Sequence, residues 1–138
     1  MVDASIVERY VGLVYDRDHF DCADLAMKVQ REVFGREVVL PQDRRRPVSP
    51  RGMNQAICES QHAVARRRPE GVQWQDGDGV LLKRGWTFPT HVGVLFSLGD
   101  PAEWYVLHNT SKKCNSVLTR VRDLHLDGWR IEGVYEWI

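Results

Sequence analysis

The stretch from 75 to 110, "QDGDGVLLKRGWTFPTHVGVLFSLGDPAEWYVLHNT", decides how this chain folds. It holds three short runs rich in β-branched and aromatic residues: "GVLLKR" (79–84), "HVGVLFS" (91–97) and "WYVLHNT" (104–110). Turn residues separate them, which predicts successive strands. "FSLGDPAEWY" reads as a hairpin connection around Gly99, Asp100 and Pro101. Two further runs, "SVLTRV" (116–121) and "RIEGVYEWI" (130–138), carry the pattern to the end of the chain.

Upstream the period changes. Ile6, Val7, Tyr10, Val11 and Val14 stand at helical spacing and predict a first helix over 4–15. Asp21 is a good N-cap after the polar "DRDHFD". Leu25, Ala26, Val29, Val33 and Phe34 then form one apolar face across 22–34, and Gly35 is a stop signal. Residues 41–51, "PQDRRRPVSPR", read as an exposed loop. A third helix is predicted over 53–67, where Met53, Ala56, Ile57 and Ala63 share a face and Arg66, Arg67 and Arg68 lie near the C-terminal end. Helices first and a meandering antiparallel sheet after them make the expected class α+β, in a single domain spanning 1–138.

Composition narrows the function. Lys+Arg and Asp+Glu both total 19, so there is no general electrostatic pull toward nucleic acid or an acidic membrane. The arginine runs read as solvated faces, with a polyanion patch as the alternative. Three cysteines, Cys22, Cys58 and Cys114, imply no disulfide framework and suit a reducing compartment. The N-terminal "MVDASIVERYVGLVYDRD" lacks the pattern of a signal peptide, and no apolar run reaches the ~18 residues that a span requires. Synthesis in the cytoplasm is therefore expected.

The candidate chemistry starts at "HFDCADLAMKV" (19–29). Cys22 follows the N-cap, where free N–H groups and the helix dipole favour a thiolate. A cysteine nucleophile needs an imidazole to take its proton and a further group to orient that imidazole. His19, His62 and His125 fall in helical, loop or turn context. His91 and His108 fall in predicted strands, and adjacent antiparallel strands can bring such residues together. The bland reading of any one of these is structural: a buried cysteine, a satisfied histidine.

The residues resemble a known family, the NlpC-type cell-wall peptidases, a bacterial and phage branch of the papain-like cysteine peptidases. Asp21-Cys22-Ala23-Asp24-Leu25 is similar to the family's Asp-Cys-x-Gly-Leu run, Gly77-Asp78 to its Gly-Asp before the first core strand, and His91-Val92-Gly93 to its His-Val-Gly. His108 in "LHNTS" stands where the family places its third polar residue, and Tyr15 where it places a tyrosine ahead of the cysteine. The end, "GVYEWI", looks like the closing strand of phage-tail members. The resemblance implies a papain-like fold and amide hydrolysis without a metal or other cofactor. It implies Cys22 as nucleophile, His91 as general acid–base and His108 as its orienting partner, with Asn109 the next candidate. Oxyanion or substrate contacts fall to the Cys22 backbone N–H, Tyr15, Asp24 and Asn109. The implied partner is a peptidoglycan stem peptide, often cut between D-glutamate and a diamino acid, with other phage tail-tip proteins as further partners and neither nucleic acid nor membrane. The implied place of action is the periplasm or cell wall, reached from a virion tail.

Two positions depart from the family pattern. Asp24 replaces a glycine, adding a negative charge near the thiol, and the glycine-rich link before the cysteine is shortened to "YDRDHFDC". Other readings stay open. Cys22, His91 and His108 have the chemistry of three zinc ligands, and Cys58 and His62 are spaced i, i+4. A catalytically silent tail or adaptor module would share the fold, as would an exported amidase toxin or a cytosolic amidase.

Overall fold

A computed structural model describes residues 2–40, 64–85 and 88–138. The expected loop at 41–51, most of the helix at 53–67, Cys58 and His62 lie outside the described residues. The class is α+β: among the described residues, two α-helices, one 3-10 helix and a single six-stranded antiparallel sheet. Helix α1 is Ala4–Glu8 and α2 is Cys22–Phe34. The strands are β1 (Ala65–Arg67), β2 (Gly79–Arg84), β3 (His91–Leu98), β4 (Glu103–Thr110), β5 (Asn115–Arg120) and β6 (Trp129–Trp137). A 3-10 helix, Val121–Asp127, precedes β6 and contains His125.

The order across the sheet is β1-β6-β2-β3-β4-β5. From β2 to β5 the chain meanders as expected, and then β6 crosses back to pair with β2. Two local expectations fail. Helix α1 stops at Glu8 rather than running to 15, because the chain turns at Gly12, which takes a left-handed φ of 85°. Val11 and Val14 consequently lie exposed. The end of the predicted 53–67 helix is strand instead: Arg66 and Arg67 pair with Glu136 and Tyr135 of β6. Their side chains bond Glu136 and Glu132, so the sheet edge and its carboxylates override a weak helical pattern.

Helix α2 forms where its signals lie. The Asp21 side chain accepts from the N–H groups of Ala23 and Asp24, and Gly35 closes the other end in the left-handed conformation. Its apolar face, Leu25, Ala26 and Val29, packs on Val92, Val94 and Phe96 of β3 and Leu107 of β4. Each Val, Leu or Phe side chain in this layer contributes roughly 1.5–3 kcal/mol on burial. The opposite sheet face packs Val80, Leu82, Leu95, Val106 and Val134 under Leu124 and Trp129. Strand β2 is covered on both faces, and so its "GVLL" reads as continuous apolar residues with no alternation.

The two glycine-containing motifs have structural reasons. Gly77 turns with φ 91° directly against the Phe34 ring, which stacks on Phe96, and Asp78 then holds Arg68 in a two-point ion pair. Gly93 leaves no room for a side chain. A Cβ there would stand 2.5 Å from Val106 Cγ1 and 3.3 Å from His108 Cβ. Gly93→Ala is accordingly expected to push β3 and β4 apart and to destabilise the protein by about 1–3 kcal/mol, read as a lower urea midpoint. An unchanged midpoint would show that the sheet absorbs a methyl group at this crossing.

Candidate active site

Cys22 is the first residue of α2, half-buried against the core under that helix. Asp24 occupies the third helical position, and its Oδ2 accepts the Asp21 backbone N–H at 3.0 Å. Asp21 and Asp24 thus form a reciprocal capping box around the cysteine. This gives Asp24 a reason the family comparison did not: its carboxylate is turned back to the chain preceding the helix.

The sheet fixes where this helix start sits. Asn109 of β4 donates from Nδ2 to the Phe20 carbonyl at 2.9 Å, and that nitrogen stands 3.5 Å from the Asp21 carbonyl oxygen. Asn109 is fully buried, and its Oδ1 has no hydrogen-bond partner. It clamps the chain ahead of Cys22 onto the strand that carries His108. The same chain is held further upstream. Gly12 and Tyr15 donate main-chain N–H groups to Ser116 and Cys114, which places half-buried Tyr15 at the β4–β5 turn.

The structure brings His91 and His108 together. His91 Nε2 lies 2.9 Å from His108 Nδ1, and His108 Nε2 lies 3.1 Å from Thr119 Oγ1 of β5. Both rings are buried. His91 also stacks on Trp129, centroids 4.6 Å apart, and the Arg84 guanidinium covers the Trp129 ring at 4.0 Å. A register shift in the β2–β6 pairing falls between Leu81 and Leu82, and Leu82 is the residue paired with His91. Thr119, Trp129 and Arg84 were not singled out from sequence. Only contacts across strands reveal them, and no spacing rule links 84, 91, 119 and 129.

Strand alternation sorts these groups by face. His91 and His108 are in phase with Leu95 and Val106, on the Trp129 side. Asn109 is in phase with Leu107, on the side that carries α2. Asn109 is therefore a clamp on the helix start and not a partner of His91. Among the described residues no three His, Cys, Asp or Glu side chains are gathered closely enough to hold a metal ion, so the zinc site that the residue types allow is not assembled.

Burial sets the proton affinity of the pair. Desolvation pushes His91 well below its ordinary value, and the neighbouring His108 and Arg84 charges act in the same direction. Burial likewise lowers His108 to about 4, partly opposed by Asp127. Both imidazoles are neutral at pH 7. A neutral His91 whose Nε2 is engaged by His108 has Nδ1 as the nitrogen left to accept a proton. No family model, no curated protein and no solved structure matches this chain. Among the described residues, no helix is long and apolar enough to cross a membrane.

Proposed function

We propose that the protein is a cysteine peptidase or amidase of the NlpC type, acting on peptide amide bonds of peptidoglycan stem peptides. The observation that supports this reading is the buried His91–His108 pair, hydrogen-bonded at 2.9 Å, in a fold whose α2 begins with Cys22 and is tied by Asn109 to the strand that carries His108. In this mechanism the Cys22 sulfur attacks the amide carbonyl while Nδ1 of His91 takes the thiol proton. The tautomer required is His108 Nε2–H donating to Thr119, with His91 Nε2–H donating to His108 Nδ1. Collapse of the tetrahedral intermediate breaks the C–N bond, and His91 returns the proton to the leaving amine. Water then hydrolyses the thioester, with His91 again as base. The Cys22 backbone N–H at the helix start, together with the Tyr15 hydroxyl, stabilises the oxyanion.

His91 is the first residue of β3, on the sheet face opposite α2, so the mechanism requires the thiol to reach its ring around the end of the strand. The neutral imidazole makes His91 a general base from the outset, in place of a preformed thiolate–imidazolium pair. The setting that fits the resemblance is a phage or prophage tail tip, with the virion delivering the enzyme to the wall.

The test is limited alkylation with iodoacetamide at neutral pH, mapped by mass spectrometry. Cys114 is exposed and Cys22 is only half so, which makes accessibility favour the wrong thiol. Cys22 is expected to react first, and His91→Ala to slow that reaction about tenfold or more. Faster labelling of Cys114 or Cys58, unaffected by His91→Ala, would count against a catalytic thiol.

A further inference from the structure

We propose that Trp129 and Arg84 are positioning residues for His91: a bulge in β6 turns Trp129 onto the sheet face that carries His91 and His108, where its indole fixes the plane of the His91 imidazole and Arg84 holds the indole. This inference rests on the peptidase reading, in which His91 is the base, and goes beyond it by naming what aims that base.

The cause lies in the register of β2 and β6. Leu81 pairs with Gly133, but Leu82 pairs with Ile131, so Glu132 is the extra residue. Val134 packs on the histidine face. Strict alternation from Val134 would bring Glu132 and Arg130 to that face as well. The extra residue reverses the phase. Ile131 and Trp129 join Val134 there, while Arg130 is exposed. The same shift sets Arg84 directly opposite Trp129.

Each contact then removes a freedom. The 2.9 Å hydrogen bond between His91 Nε2 and His108 Nδ1 anchors one nitrogen and leaves the ring able to swing about it. The Trp129 indole lies nearly parallel to that ring, 16° between planes and 4.6 Å between centroids, and blocks the swing. His91 Nδ1 is left with one direction. Trp129 is held in turn by Arg84, whose guanidinium carbon stands 4.0 Å from its centroid. Arg84 Nη1 donates to the Asp127 carbonyl at 2.9 Å, and it passes close enough to Gly128 that a Cβ there would stand 3.2 Å from it. The guanidinium therefore ties down the start of β6 as well as covering its tryptophan. Aim matters to a base, since a misplacement of about 1 Å can cost about a hundredfold in rate.

Trp129 is also a core residue, so aim must be separated from packing. The experiment compares Trp129→Leu, Trp129→Phe and Arg84→Met in the full chain, each checked for folding by its urea midpoint. Every variant is read twice: by kcat and KM on a synthetic stem peptide, and by the His91 imidazole signals in nitrogen-edited NMR at neutral pH. The parent is expected to show His91 as the Nε2–H tautomer, with that proton protected from exchange. Trp129→Leu is apolar but has no flat face, and it is expected to lower kcat about tenfold at unchanged KM and to broaden the Nε2–H signal. Trp129→Phe restores a flat face and is expected to return kcat to within about threefold of the parent. Arg84 is exposed, so Arg84→Met opens no cavity; it is expected to lower kcat about threefold with the same broadening. A Trp129→Leu chain that keeps both kcat and the Nε2–H signal would overturn the assignment. So would a Trp129→Phe chain no better than Trp129→Leu, the mark of lost packing alone, or an Arg84→Met chain identical to the parent. If Trp129→Leu does not fold, Trp129→Phe and Arg84→Met carry the same decision. Failure of the peptidase reading is read separately. An inactive parent whose His91 signals still respond to the variants defeats catalysis, while cleavage indifferent to all three variants defeats only the positioning role.

Discussion

Cys22→Ala and His91→Ala are each expected to lower hydrolysis of peptidoglycan stem peptides by about a thousandfold or more. The two losses should not add, because nucleophile and base act in one step. His108→Ala is expected to cost less, about ten- to a hundredfold, since it holds the tautomer and orientation of His91 without touching substrate. The pH profile separates these roles. In the proposed mechanism His91 acts as base only when neutral, and burial holds its proton affinity well below the ordinary value. Activity should therefore persist into acid solution, and the acid limb should move toward neutrality in a variant such as Trp129→Ala that lets water reach the ring. Product release is followed by chromatography of the cleaved peptides. Wild type indistinguishable from Cys22→Ala on every substrate would make the silent structural module the better account. Asp24→Asn is the useful companion, since Asp24 accepts the Asp21 N–H in the capping box. An amide oxygen can keep that bond while removing the charge, so any change in Cys22 reactivity then reports electrostatics alone.

The second large effect is on stability. The folded protein keeps His108 neutral down to about 4, whereas an exposed histidine in the unfolded chain titrates near its ordinary 6.5. Between those values the unfolded chain binds a proton that the folded one refuses. Unfolding free energy therefore falls as pH drops from 6.5 toward 4, by about 3 kcal/mol for His108. Above 6.5 this contribution is fully present. His91 is depressed for the same reason and adds a loss of the same sign. Against a total stability of roughly 5–15 kcal/mol, this is enough to lower the urea midpoint markedly at pH 5 relative to pH 7.5. Salt-bridged carboxylates act in a lower window, as pH falls through the ordinary carboxylate range, so the two causes separate along the pH axis. His108→Asn should flatten the slope between 7 and 5. A flat midpoint for the parent chain across that range would show that the pair is hydrated.

Sequence by itself determined the elements whose causes are local. Asp21 and Gly35 bound α2 through their own side chain and left-handed backbone, so both ends could be read directly. Five strands in the C-terminal half were legible from β-branched runs and turn residues, as was the hairpin at 99–101. Cys22 at the helix start was legible for the same reason. The rest depended on partners distant in the chain. Arg66 and Arg67 form strand because β6 offers an edge and carboxylates, and no local pattern reports that. The meeting of His91 with His108 was an expectation of strand pairing, but the face they share was set by register against Leu95 and Val106. Asp24 was an anomaly in sequence and a cap in three dimensions. Asn109 was a candidate for substrate contact, and the fold made it the clamp on the Phe20–Asp21 chain. Arg84, Thr119 and Trp129 entered the site only through packing across strands. Local conformation is a property of neighbouring residues, whereas burial, proton affinity and the choice of face are properties of the closed sheet, and only the tertiary structure supplies them.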